Sequence, residues 1–167
     1  PIGMIMLQLA KQAGASKVIL SEPVEEKRAQ ALRLGATKTI DPIHEDVAAV
    51  LSDYCENVNV VIECVGNVHS QEDAVHFAGK CATVMFFGLA SPEDSFPLKP
   101  DEVFKKELHL TSSFINPYTF ERAIAVLESG TIELGELITN EVPLDDIADV
   151  FTKPEYRRTG KVMIRIS

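Results

Sequence analysis

The sequence lacks the features that mark several large classes of protein. No run of about 18 apolar residues occurs, so we expect no membrane span. A basic stretch followed by an apolar one, as in a secretory signal, is also missing. The three scattered cysteines favour a reducing, cytoplasmic setting. Basic residues number 16 against 25 acidic ones, and the net charge of −9 argues against nucleic acid as a partner.

Motifs for metal binding or covalent catalysis are equally scarce. Cys55, Cys64 and Cys81 show no C-x-x-C spacing, so neither a disulfide framework nor a structural zinc site is predicted. The four histidines show no H-x-H or H-x-x-x-H spacing, and surface or capping roles are expected for them. There is no G-x-S-x-G turn and no P-loop. The sequence therefore predicts no catalytic residue and no metal ligand.

What the sequence does contain is an alternation of helical and extended patterns. This alternation is typical of parallel βαβ units and predicts an α/β fold with a doubly wound, Rossmann-type parallel sheet. The pattern changes near Phe114, where we place a boundary between residues 1–114 and 115–167. A further helix with Phe120, Ile124 and Leu127 on one face is expected after Asn116-Pro117, and a final strand over 161–166. The predicted earlier helices cover 4–13, 24–34, 44–54, 69–78 and 101–107, and the strands 17–22, 37–40, 58–66, 81–88 and 108–113.

The chain begins with the end of a recognisable motif. Pro1-Ile2-Gly3 leads into an apolar helix and then a strand that ends on Glu22. Gly3 fits the last glycine of a G-x-G-x-x-G turn, and Glu22 lies about 20 residues further on, where an acid binds the adenosine ribose. The first two glycines and the strand before them are absent. This pattern predicts a dinucleotide cofactor bound by part of a larger protein.

Each of these residues also has a plainer interpretation. Gly3 could be a small residue at a helix–strand contact, and Glu22 a solvated acid that starts a turn. Lys27 and Arg28 lie close enough for a ribose or a phosphate, but Glu25 and its neighbour Glu26 offer local partners. A carboxylate at position 22 would repel a 2′-phosphate, so the sequence favours NAD over NADP.

Two predicted strand ends supply further candidate residues. Ligands of open α/β sheets bind beyond the carboxyl ends of the strands. One strand ends at Cys64-Val65-Gly66-Asn67, where Gly66 would let a cofactor pass close to the backbone. The next strand ends on the same edge at Phe86-Phe87-Gly88-Leu89. The cysteines are interpreted as small apolar residues rather than nucleophiles.

Several segments in order resemble the zinc-dependent medium-chain alcohol dehydrogenases, in particular their polyol, threonine and butanediol branch. These segments are Pro1-Ile-Gly-Met, residues 10–15, Leu34-Gly-Ala-Thr, Ile62-Glu-Cys-Val-Gly, residues 113–124, and Gly160-Lys-Val-Met-Ile. The resemblance implies that 1–114 is an NAD-binding Rossmann domain lacking its first strand. It also implies that 115–167 returns to a GroES-like catalytic domain whose Cys, His and acidic zinc ligands precede Pro1.

The resemblance further implies a cofactor site and an activity. The activity would be hydride transfer between a secondary alcohol or polyol and NAD, inactive in this segment alone, in a homodimer or homotetramer paired through the strand over 108–113. The alternatives are a zinc-free NADPH quinone or enoyl reductase and a non-catalytic NAD sensor. The implied cofactor contacts are Gly3 at the pyrophosphate, Glu22 and Lys27 at the ribose, Val65 with Gly66 along the adenine side, and Leu89 and Phe114 at the nicotinamide.

Overall fold

A computed structural model describes residues 1–115, 118–158 and 160–166 of the chain. Helices and strands alternate through most of its length, so the predicted mixed α/β fold with parallel strands is confirmed. The helices are α1 (Ile2–Gln12), α2 (Glu25–Arg33), α3 (Val47–Tyr54), α4 (Val68–Phe77), α5 (Pro100–Lys106), α6 (Phe120–Glu128), α7 (Ile147–Thr152) and α8 (Pro154–Arg158). The strands are β1 (Ile19–Ser21), β2 (Lys38–Ile40), β3 (Val60–Glu63), β4 (Thr83–Phe86), β5 (His109–Ser112), β6 (Ile138–Pro143) and β7 (Lys161–Arg165).

The chain forms two compact units. The first contains Pro1–Thr39 and Glu121–Ser167, and the second contains Ile40–Phe120. Spatial compactness is a different criterion from domain membership, so the boundary after residue 114 stays a prediction. Asn116 and Pro117, which precede the predicted sixth helix, lie outside the described residues.

The second unit is built on a parallel sheet in the order β3-β4-β5. Val60 pairs with Thr83, and Thr83 pairs in turn with His109, so the three strands run in register. α4 and α5 contribute side chains to one apolar core with this sheet. The buried members of that core are Ala74, Val75, Ala78, Ala82, Val84 and Leu108.

Within the described residues β3 is covered on one face only. The β-branched run at 58–66 is typical of a strand that is covered on both faces. Val61 packs against the core, but Val60 and Ile62 on the opposite face are 58% and 36% exposed. The alternation of side chains along a strand explains the difference, because α4 covers only the face on which Val61 lies.

The first unit has its own core around α1. Met4 and Leu7 of that helix pack with Ala31 of α2 and with Leu137 from the C-terminal part of the chain. β1 pairs with β2, and β6 pairs with β7 in parallel. The sequence predicted the last strand as 161–166 but not its parallel pairing with β6, nor the short helix α8. In the described part of the chain, no helix is long and apolar enough to cross a membrane.

Candidate functional site

Gly3 lies in the first turn of α1, as predicted. That turn has no acidic residue and no side-chain cap, and the N–H groups of Met4 and Ile5 both donate to the carbonyl of Pro1. In the described part of the chain the N–H groups of Ile2 and Gly3 have no acceptor. Two donors are therefore available at the positive end of the helix dipole, an arrangement suited to an anion.

The structure also shows why glycine is not needed at position 3 for packing. A Cβ placed there would lie 3.8 Å from Cδ1 of Leu20, which is an ordinary contact. The contact between α1 and β1 therefore does not by itself require a glycine at this position.

Glu22 directly follows β1 and is half-buried. Its Oε1 accepts a hydrogen bond from the N–H of Val24 at 3.0 Å, and its carbonyl oxygen accepts one from Nη1 of Arg28 at 2.8 Å. Among the described residues, Oε2 of Glu22 has no hydrogen-bond partner. The side chain therefore combines both interpretations, since one oxygen holds the turn and the other is available to a ligand. Lys27, in the first turns of α2, is half-buried as well.

In the second unit, Glu63 at the end of β3 organises the turn that carries Val65 and Gly66. Its carboxylate oxygen Oε1 accepts hydrogen bonds from the N–H groups of Val65 and Gly66 at 2.7 and 2.8 Å and from Oγ of Ser70 at 2.8 Å. Glu63 is only 5% exposed, and its Oε2 is buried without a partner among the described residues. Glu63 was not predicted as a site residue, since an acid at the end of a β-branched run does not by itself show which groups it will bind.

Gly66 and Gly88 bring two strand ends into close contact. A Cβ on Gly66 would lie 2.6 Å from the carbonyl oxygen and 2.7 Å from the nitrogen of Leu89, and the residue has a φ of +80°. A Cβ on Gly88 would meet the backbone of Gly66 and Oε2 of Glu63. Both positions therefore exclude any larger residue. The prediction that these two strands end together at one edge of the sheet is confirmed by their parallel register.

The side chains around this edge are unusually exposed. Val65 is 71% exposed, Leu89 is 89% exposed and Phe114, just after β5, is 80% exposed. Apolar side chains of this size normally gain about 1.5–3 kcal/mol from full burial. Their exposure at the carboxyl ends of parallel strands is consistent with a ligand-binding role, because ligands of open α/β sheets bind there.

No nucleophile or metal centre emerges from the described residues. Burial, together with the neighbouring charge of Glu63, raises the pKa of the Cys64 thiol to about 11, so this group is protonated at neutral pH. Cys81 is exposed rather than placed in a strand, and a hydrogen bond to Glu107 raises the pKa of its thiol. Among the described residues, no group of three or more His, Cys, Asp or Glu side chains could hold a metal ion.

The parallel β-α units, the glycine in the first turn of α1 and the acid after β1 define a Rossmann-type α/β protein. The chain belongs to the family of zinc-binding dehydrogenases, which matches residues 1–129. The resemblance seen in the sequence is therefore confirmed at the level of the family.

Individual relatives agree with this assignment. The chain is 26% identical to sorbitol dehydrogenase of Bombyx mori over 99% of its own length and 49% of that protein. It is 28% identical to L-threonine 3-dehydrogenase of Caldanaerobacter subterraneus subsp. tengcongensis over 99% of its length and 46% of that protein. A solved structure described as a zinc-binding dehydrogenase from Sinorhizobium meliloti 1021, bound to NADP, matches with a TM-score of 0.93 and 32% identity over 99% of this chain and 49% of that one.

These relatives are about twice as long as the sequence in hand. The chain spans about half the length of the curated relatives it matches. Family and fold are therefore established for a segment that corresponds to about half of each relative.

Proposed function

We propose that the chain is the cofactor-binding part of a zinc-dependent alcohol or polyol dehydrogenase that uses NAD(H). The observation that carries this proposal is the pairing of an uncapped α1, which offers two N–H donors, with the carboxylate of Glu22 at the end of β1. The donors suit a pyrophosphate, and a carboxylate suits the two hydroxyl groups of an adenosine ribose. Family membership and the names of the relatives support the dehydrogenase class.

The proposed cofactor contacts are those that the resemblance implies. Gly3, Glu22 and Lys27 are assigned to the pyrophosphate and the adenosine ribose. Val65, Gly66, Leu89 and Phe114 are the further proposed contacts. The bound NAD would supply the hydride acceptor, and the protein would hold it in place. We further propose a cytoplasmic homodimer or homotetramer acting on a small alcohol or polyol.

Zinc does not fit the residues described here. The described part of the chain offers no group of three or more potential ligands, and the thiol of Cys64 is held in its protonated form. Since a zinc-bound cysteine is a thiolate, Cys64 is a poor candidate ligand. We propose that the zinc ligands of the complete protein lie outside the residues described.

The choice of NAD rather than NADP is the part of the proposal most open to test. A free Oε2 on Glu22 can accept a hydrogen bond from a ribose hydroxyl, whereas a 2′-phosphate would meet a negative charge. The relative from Sinorhizobium meliloti is bound to NADP, so both cofactors must be compared.

Fluorescence titration of the protein with NADH and NADPH makes this comparison. We expect NADH to bind at least about tenfold more tightly, a difference of about 1.4 kcal/mol. Glu22→Gln should narrow that ratio by weakening NADH binding and relieving the repulsion of NADPH. Glu25→Gln is the matched control, because it removes the same charge from an exposed acid in the first turn of α2. Tighter binding of NADPH by the unchanged protein would refute the role given to Glu22.

A further inference from the structure

The most unusual group in the second unit is the carboxylate of Glu63. The residue is 5% exposed, and in the described part of the chain no cationic side chain pairs with it. A buried charge without a counter-ion costs free energy, which the hydrogen bonds to its Oε1 offset in part. These bonds tie Glu63 to the segment between β3 and α4.

The hydrogen bonds of Glu63 all lead to the turn that follows β3. Oε1 accepts hydrogen bonds from the N–H groups of Val65 and Gly66 and from the hydroxyl of Ser70. Ser70 in turn takes part in the capping box of α4, where its N–H donates to Oδ1 of Asn67 at 2.9 Å. The carboxylate, the turn and the start of α4 thus form one connected hydrogen-bond network.

The backbone of Glu63 also holds the neighbouring strand end. Its carbonyl oxygen accepts hydrogen bonds from the N–H groups of Phe87 and Gly88, both at 2.9 Å. The side chain and the main chain of one residue therefore fix two adjoining turns. Gly66 is left against the backbone of Leu89, where a Cβ would not fit.

This network determines what the turn can offer to a ligand. The N–H groups of Val65 and Gly66 are used by Glu63, and that of Asn67 donates to Oγ of Ser70 at 3.4 Å. Three successive donors are therefore occupied, and a negative charge lies beneath them. The turn presents apolar surface from Val65 and Leu89 and is unsuited to a phosphate.

We propose that Glu63 is a positioning residue that fixes the Val65–Asn67 turn, with its backbone N–H groups occupied, as an apolar contact for the uncharged part of the dinucleotide. The residue acts through the turn and does not touch the cofactor. This inference rests on the proposed function, because it takes the bound molecule to be a dinucleotide. The preformed turn would lower the cost of ordering the backbone when the cofactor binds.

Two measurements on the intact protein test the proposal. Amide hydrogen exchange of Val65 and Gly66 reports on the turn without any cofactor, and fluorescence titration with NADH reports on binding. The variants are Glu63→Ala, which removes the carboxylate, and Glu63→Gln, which keeps an acceptor oxygen for the same donors. Val84→Ala is the control, because it weakens the same sheet at a fully buried position away from the turn.

In Glu63→Ala the two amides should exchange about tenfold faster or more, since their acceptor is lost. NADH should bind about tenfold more weakly, as expected when a preformed contact must be ordered on binding. Glu63→Gln should restore slow exchange and most of the NADH affinity. Val84→Ala should lower the thermal midpoint while leaving the affinity near that of the unchanged protein.

The proposal is overturned if the exchange of Val65 and Gly66 is unchanged in Glu63→Ala. It is also overturned if Val84→Ala weakens NADH binding as much as Glu63→Ala does, because the effect would then be one of general stability. If the unchanged protein binds neither NADH nor NADPH, the proposed function fails, and the cofactor role of the turn fails with it. In that case, faster amide exchange of Val65 and Gly66 in Glu63→Ala would still show that Glu63 stabilises the turn.

Discussion

At the scale of single residues, Gly66 shows how strongly one position can constrain a turn. It combines a φ of +80° with backbone atoms of Leu89 less than 3 Å from any added Cβ. Gly14 also has a positive φ, +94°, but nothing lies within 4 Å of its Cβ position. The two glycines therefore separate the cost of backbone strain from the cost of a steric clash.

We predict that Gly66→Ala destabilises the protein by about 1–3 kcal/mol more than Gly14→Ala does, because only the first adds overpacking to strain. Urea unfolding followed by far-ultraviolet circular dichroism measures both changes. Equal losses in the two variants would show that the backbone of Leu89 moves away at little cost.

The chemistry of Cys64 provides a second prediction at this scale. Burial and the charge of Glu63 disfavour the thiolate, which raises the pKa of this thiol to about 11. At pH 8 about one thiol in a thousand is then ionised, and only the thiolate reacts with iodoacetamide. Labelling of Cys64 in the folded protein should therefore be slow at pH 8 and rise about tenfold per pH unit up to pH 9.5.

Mass spectrometry of the labelled peptide measures the rate, and the unfolded protein in guanidinium chloride is the control. There the same cysteine should react with its ordinary pKa of about 8.5. A folded protein whose Cys64 labels as fast as the unfolded one would contradict both the burial and the charge assigned to this site.

At the scale of secondary-structure elements, Gln8 connects α1 to the C-terminal part of the chain. Its side chain is 7% exposed; Oε1 accepts the N–H of Glu133 at 2.6 Å, and Nε2 donates to the carbonyl of Glu133 at 2.9 Å. The amide thus pairs with a backbone much as a neighbouring strand would. Gln12 makes a comparable link to Oγ1 of Thr131, but this bond is exposed.

We expect Gln8→Met to destabilise the first unit by about 1–3 kcal/mol, because it leaves a partly buried N–H and carbonyl of Glu133 without their side-chain partners. Gln12→Ala should cost less than about 1 kcal/mol, since water can replace an exposed hydrogen bond. Thermal unfolding of both variants measures the difference. If Gln8→Met lowers the free energy of unfolding no more than Gln12→Ala does, the stabilising role of the Gln8–Glu133 hydrogen bonds is refuted.

The elements also show what the sequence could predict and where it could not. Helices such as α2 and α4 lie within about two residues of their predicted bounds, since apolar spacing and caps are local signals. The parallel pairing of β6 with β7 was not predicted, because pairing between separated strands leaves no local pattern. Glu63 was missed for a similar reason, since its partners are defined only when β3 and α4 meet.

At the scale of the whole molecule, a large amount of apolar surface is uncovered. The apolar face of α6 was predicted from its spacing, yet Phe120, Ile124 and Leu127 are 71%, 42% and 45% exposed. β3 leaves Val60 exposed in the same way. Burial of such surfaces is a main source of stability in folded proteins, so we expect them to be covered in the complete protein. The spacing predicted which side chains share a face, but no local pattern states what covers it.

The final prediction concerns activity and follows from the length of the relatives and from the residues present. The chain spans about half of each curated relative compared here, and its described part holds no set of ligands for a metal ion. We therefore expect the 167-residue chain to bind NADH but not to reduce NAD⁺ with sorbitol, threonine or butanediol, even with added Zn²⁺. The complete protein should do so with at least one alcohol or polyol. Absorbance at 340 nm follows the reaction, and a sample treated with a chelator gives the baseline. Zinc-dependent formation of NADH by the 167-residue chain would show that a catalytic site assembles within these residues after all.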